Sequence, residues 1–113
     1  MQIAERSAGN VTVLDLSGQI TLGKGDDQLF KDKVNSLVHQ GHKNILVNLG
    51  NVTHMDSAGL GELVGAYTTV TKAGGSMKLV NLTKRLHDLL SITKLLTVFD
   101  TFDTEQEALK TFN

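Results

Sequence analysis

The run Ile45-Leu46-Val47-Asn48-Leu49 leaves a chain few ways to fold. So short and nearly unbroken an apolar stretch offers no polar face to water, so both of its sides must be covered. It follows a segment in which Phe30, Val34, Leu37 and Val38 recur at helical spacing, closing at Gly41, which suits the left-handed turn after a helix. It precedes a second helical segment carrying Leu60, Leu63, Val64, Tyr67 and Val70 and ending at Ala73-Gly74-Gly75. A strand held between two helices is the unit of a parallel sheet. Met77 to Leu82 predicts a further buried strand, and Thr83 caps a short helix with Leu86, Leu89 and Leu90.

The flanks complete the sheet. Ile3 to Glu5 and Val11 to Leu16 are strand-like, and Ser7-Ala8-Gly9-Asn10 joins them as an antiparallel pair near one edge. Ser17-Gly18 is expected to break the second strand, with a loop over Thr21 to Gly25. Asp26 and Asp27 suit a helix N-terminus, where carboxylates meet unpaired N–H groups. Thr97-Val98-Phe99 reads as a short terminal strand, and Thr104 to Glu107 has capping-box spacing ahead of Ala108, Leu109 and Phe112. The fold class is α/β, a mixed sheet of four to five strands with about four helices packed mainly on one face. No linker, repeat or low-complexity tract divides residues 1–113, so one domain is expected.

Composition excludes more than it proposes. Without Cys, the chain has no disulfide, thiol nucleophile or cysteine metal site, which suits a reducing compartment. Eleven basic and twelve acidic side chains give a formal net charge of -1, with no bulk attraction to nucleic acid or anionic lipid. No apolar run approaches the ~20 residues of a membrane helix, and MQIAERSAGN lacks the apolar and cationic parts of a signal peptide. A cytoplasmic protein is expected.

Chemistry concentrates just beyond the end of the buried strand Ile45 to Leu49, the place where open α/β sheets carry their functional groups. There the chain reads Asn51-Val52-Thr53-His54-Met55, expected as a loop, then Asp56-Ser57-Ala58-Gly59-Leu60-Gly61 opening a helix. Two readings of these residues stand side by side. In one, Asp56 or Ser57 is an N-cap and the glycines allow tight helix–sheet packing. In the other, Ser57 is modified. A phosphate there would add roughly -1.5 to -2 charges on a helix N-terminus, compatible with the fold yet repulsive to a neutral partner patch. Gly59, Gly61 and Gly65 would then bare one flank for a partner, since glycine costs up to ~1 kcal/mol each inside a helix.

Asp56-Ser57-Ala58-Gly59-Leu60-Gly61 resembles the phosphorylation-site motif of the anti-sigma factor antagonists, the bacterial branch of the STAS domain family. The Asn44-to-Leu49 strand, the approach through Thr53-His54-Met55, the Met77-to-Leu82 strand with its Leu-rich helix, and the ending through Thr97-Val98-Phe99 and Glu105 to Leu109 resemble the family across nearly the whole chain. The resemblance implies a STAS-type sheet and a non-enzymatic protein-binding switch. Unphosphorylated, such a protein binds an anti-sigma factor that is commonly also a serine kinase, and so frees a sigma factor for transcription. Phosphorylation of the motif serine, here Ser57, releases it, and a PP2C-type phosphatase restores it. The implied binding surface comprises Thr53, His54, Met55, Asp56, Ser57, Ala58, Gly59, Leu60, Gly61 and Glu62, with Lys84 and Arg85 beside it. Many members carry an Asp in a Gly-x-hydrophobic-Asp pattern, whereas Gly18-Gln19-Ile20-Thr21 places Thr21 there, supplying a hydroxyl without charge. The alternative that the resemblance implies is a structural or regulatory STAS module in a stressosome-like or lipid-transport assembly. No cofactor is implied, and a monomer or weak dimer is expected.

Other chemistries fit poorly. Met55 stands where a Gly-x-Ser-x-Gly nucleophile elbow needs its first glycine. Val64 occupies the last glycine position of a dinucleotide motif, and Ala73-Gly74-Gly75-Ser76 lacks the Walker ending. His39 and His42 lack the further ligands that a metal site needs. Thr68, Thr69 and Thr71 suit ordinary surface use, and the leucines from Leu86 to Leu96 close the core, leaving Ile92, Leu95 or Leu96 at its rim.

Overall fold

The computed structural model describes residues 1–21 and 26–112, with the backbone alone at Asp26 and Asp27. Strand β1 (Gln2–Ala8) turns at Gly9-Asn10 into β2 (Val11–Ile20), and helix α1 (Asp26–His39) leads to β3 (Asn44–Met55). Helix α2 (Ser57–Lys72), β4 (Ser76–Val80) and α3 (Lys84–Ile92) follow. A single 3-10 turn over Leu95–Thr97, β5 (Thr101–Phe102) and α4 (Glu105–Leu109) complete the chain. The sheet runs β1-β2-β3-β4-β5, antiparallel at its first pairing and parallel at the other three. This is the mixed five-stranded α/β architecture expected from the apolar pattern.

Each helix has a local cause. Past α1 the chain turns at Gly41 (φ +85°), where Gly41 N–H bonds Val38 O and His42 N–H bonds Leu37 O, closing the last turn. Thr83 caps α3 by accepting from Leu86 N–H at 3.2 Å. Thr104 caps α4 by accepting from Glu107 N–H at 3.2 Å, while its hydroxyl lies 3.1 Å from the Glu107 carboxylate. The expected capping by Asp26 and Asp27 concerns side chains outside the described residues, as does the loop expected over 21–25 apart from Thr21.

Three sequence expectations are corrected. Ser17-Gly18 does not break β2. Gly18 takes a positive φ of 91°, the register against β3 shifts on either side of Ser17-Gly18, and the strand continues to Ile20. Asn51 to Met55 is not a loop but the second half of β3, paired with β2 through Ser17–Asn51, Gly18–Val52, Gln19–His54 and Ile20–Met55. Thr97-Val98-Phe99 is not a strand. Lys94 (φ 63°) turns the chain out of α3 into the 3-10 turn, and the fifth strand forms at Thr101–Phe102 beside Leu79 and Val80.

Alternation along the strands divides the apolar residues between two faces. Leu14, Leu16, Ile45, Val47, Leu49, Met77 and Leu79 pack under α1, α2 and α3. Val11, Val13, Leu46 and Val80 form a smaller cluster closed by Ala108 of α4. A polar chain also crosses this second face. Arg6 Nε and Nη2 donate to the Asp15 carboxylate at 2.7 and 3.3 Å, and its Nη1 and Nη2 donate to Glu105 of α4. Asn48 Nδ2 donates to Asp15 at 2.8 Å, and Asn81 Nδ2 to Asn48 Oδ1 at 3.1 Å. The Arg6 hydrogen bonds hold the Asp15 and Glu105 carboxyls below their ordinary range and raise the guanidinium's own pKa.

Candidate functional site

The end of β3 delivers the chain to the start of α2 with little freedom. Asp56 N–H bonds the Ile20 carbonyl at 3.3 Å, so β2 fixes the residue between strand and helix. Asp56 then caps α2, its Oδ1 accepting from Gly59 N–H at 2.9 Å. Of the two N-cap candidates in the sequence, the structure chooses Asp56. Ser57 is the first residue of α2 and exposed, its hydroxyl at the end where the helix dipole is positive.

The motif residues divide by direction. Thr53, His54, Ser57 and Gly61 are exposed, and Asp56, Ala58 and Glu62 are half-buried. Met55, Gly59 and Leu60 turn inward and belong to the packing beneath α2. Thr53 is held sideways, its Oγ1 donating to Gly18 O at 3.2 Å. The three glycines do not share a flank. Gly59 presses against Ile20 and Met55 in the core, while Gly61 and Gly65 open onto free space. Thr21 is half-buried immediately after Ile20, whose carbonyl holds Asp56.

The fold brings Lys84 and Arg85 to this place from about thirty residues downstream. They line an open groove of about 570 Å³ with His54, Met55, Asp88, Leu89 and Ile92. Arg85 Nη1 lies 3.5 Å from the Thr53 carbonyl, linking α3 to the end of β3. The sequence placed Ile92 only at a rim, read Leu89 as core and passed over Asp88. The signal for them was the i, i+3, i+4, i+7 spacing of Arg85, Asp88, Leu89 and Ile92 on one side of α3.

At this site an exposed hydroxyl, a basic edge and apolar surface lie together. Among the described residues no group of three or more His, Cys, Asp or Glu is arranged to hold a metal ion. Among them, too, no helix is long and apolar enough to cross a membrane.

Known proteins share this sequence pattern and fold. The STAS domain model matches residues 2–108. The anti-sigma-B factor antagonist of Bacillus subtilis is 42% identical over 72 residues, a stretch covering 64% of this chain and 65% of that protein. The Thermotoga maritima protein TM1081 superposes with a TM-score of 0.87 at 25% identity, covering 96% of this chain and 92% of that one. SpoIIAA, an anti-sigma factor antagonist solved in unphosphorylated and phosphorylated forms, shares the fold at TM-scores of 0.73 and 0.74. Its identity to this chain is 20% and 21%, with coverage of 96% of this chain in both cases and 96% and 97% of SpoIIAA. With the model spanning nearly every residue from β1 to α4, the chain belongs to the STAS domain family.

Proposed function

We propose that the chain is an anti-sigma factor antagonist working as a phosphate-controlled binding switch in the cytoplasm. Unphosphorylated, it binds an anti-sigma factor that is also its serine kinase, and a sigma factor is freed for transcription. Phosphate on Ser57 releases the partner, and a PP2C-type phosphatase resets the switch. The surface comprises the exposed part of Thr53 to Glu62 with Lys84 and Arg85 alongside, and Thr21 contributes a hydroxyl where many family members carry a carboxylate.

The observation that carries this reading is the division of labour between Asp56 and Ser57. Asp56 caps the helix, so Ser57 is exposed and not needed to hold α2 in place. A phosphate there meets the positive end of the helix dipole, which the fold tolerates. It also adds roughly -1.5 to -2 charges at one spot. Against a whole-chain formal charge of -1, that is a large local signal.

Incubation with the anti-sigma kinase of the same genome and ATP, followed by intact-mass measurement, tests the proposal. The wild-type chain should gain one phosphate and Ser57→Ala none. Absence of phosphorylation by every such kinase of that genome would overturn it.

A further inference from the structure

The groove between the end of β3 and α3 carries charge and apolar surface that the fold uses only in part: Arg85 reaches the Thr53 carbonyl and Met55 and Leu89 pack on the core, while Lys84 and Ile92 are left to solvent. Lys84 and Arg85 open α3, at the positive end of its backbone dipole, where a carboxylate is favoured and a cation is not. The first turn of α3 has no acidic residue to offset them. Both are exposed, and Lys84 makes no ion pair among the described residues. Seven residues on from Arg85, Ile92 is 80% exposed, well beyond Leu29 at 47% or Val98 at 40%. Half-buried Leu89 lies between them, over the apolar floor made with Met55. Two disfavoured cations, outnumbering the single carboxylate of Asp88, and an uncovered aliphatic side chain thus share one side of one helix.

We infer that this groove receives a partner segment pairing an aliphatic side chain with carboxylates. The aliphatic group covers Ile92 and Leu89, and the carboxylates meet Lys84 and Arg85. The inference rests on the switch proposed above and gives its partner a chemistry. The switch favours the same charge sign. His54 and Met55, in the groove, stand three and two residues before Ser57. A phosphate at Ser57 adds bulk and charge beside the groove: it repels an acidic segment directly, whereas a basic segment would be held more tightly. An acidic segment is the partner that suits both the basic rim and phosphate-driven release.

The probe is the purified anti-sigma factor of the same genome, titrated calorimetrically at low and at physiological salt. Lys84→Glu/Arg85→Glu and Ile92→Ser should each weaken binding about tenfold or more. Wild-type affinity should fall with salt, while that of the double variant should not. Thermal midpoints should stay near wild type, because Glu at the start of α3 offsets the lost 3.5 Å contact of Arg85 with Thr53, and Ile92 is exposed. Groove variants binding like wild type, while Ser57→Asp binds weakly, would overturn the groove assignment and leave the switch intact. Tighter binding by the double variant would mean a basic segment and equally overturn it. No binding by the wild-type chain would remove the anti-sigma reading and the groove assignment together.

Discussion

The Ile20 carbonyl and Gly59 approach so closely that a Cβ built on Gly59 would stand 2.2 Å from the oxygen. No side chain fits there, and the backbone atom it meets cannot swing aside. Gly59→Ala should therefore cost more than ~2 kcal/mol, as overpacking does when the neighbour is fixed. Gly61 and Gly65 are the opposite case, with nothing within 4 Å of an added Cβ. Gly61→Ala and Gly65→Ala should each raise stability by ~0.5 to 1 kcal/mol through helix propensity. Urea unfolding of the three variants checks the contrast, and a stabilised Gly59→Ala would contradict the packing.

Ser57 should separate binding from stability. Ser57→Asp is expected to weaken anti-sigma factor binding and Ser57→Ala to retain it, both with stability within ~0.5 kcal/mol of wild type, as for an exposed residue that does not cap. Equal affinity for all three forms would refute the switch, while the melting temperatures report the structural half.

Asp56 should do the reverse at the neighbouring position. Removing its carboxylate in Asp56→Ala leaves Gly59 N–H without its acceptor and should cost ~1 kcal/mol, with Asp56→Asn recovering most of the loss. Denaturant midpoints of the two variants decide this.

The Arg6 chain predicts an acid-sensitive term in stability. Asp15 and Glu105 have carboxyls lowered by Arg6 from ordinary values of 3.8 and 4.5. In that window the unfolded chain binds more protons than the folded one, so stability rises with pH there. The contribution is complete above about pH 5 and drains away as pH falls through the lowered folded values. These groups are partly exposed, so Arg6→Gln should cost only about 1 kcal/mol at neutral pH, the difference shrinking toward zero in acid. A gap independent of pH between 3 and 7 would disprove the linkage.

Lys94 holds a left-handed conformation (φ 63°) just past α3, with its side chain exposed. A Cβ there is disfavoured, so Lys94→Gly should raise the denaturation midpoint, by ~0.5 to 1 kcal/mol after the entropy cost of glycine. A fall would show that the lysine side chain contributes more than its backbone strain removes.

Much of the fold is legible in single residues. Gly41, Thr83 and Thr104 each mark a helix end through local hydrogen bonding, which sequence carries directly. The second half of β3 is not legible in that way. Asn51, Thr53 and His54 are exposed and polar, and only parallel pairing of this stretch with β2 makes it strand. Gly18 misleads for a related reason, since its positive φ is absorbed by a register shift rather than ending the strand. The motif around Ser57 stands out because its residues are contiguous. The groove does not, because His54 and Ile92 meet only once the sheet is assembled.

Arg6 and Glu105 lie 99 positions apart, and the strip formed by Val11, Val13, Leu46 and Val80 is closed by Ala108, on that same last helix. During synthesis, one side of the growing sheet keeps this strip bare until α4 has left the ribosome. Chains stalled or clipped before residue 105 would present a sticky, half-shielded sheet. Helix α4 is thus the cover of one sheet face as well as a piece of the native packing.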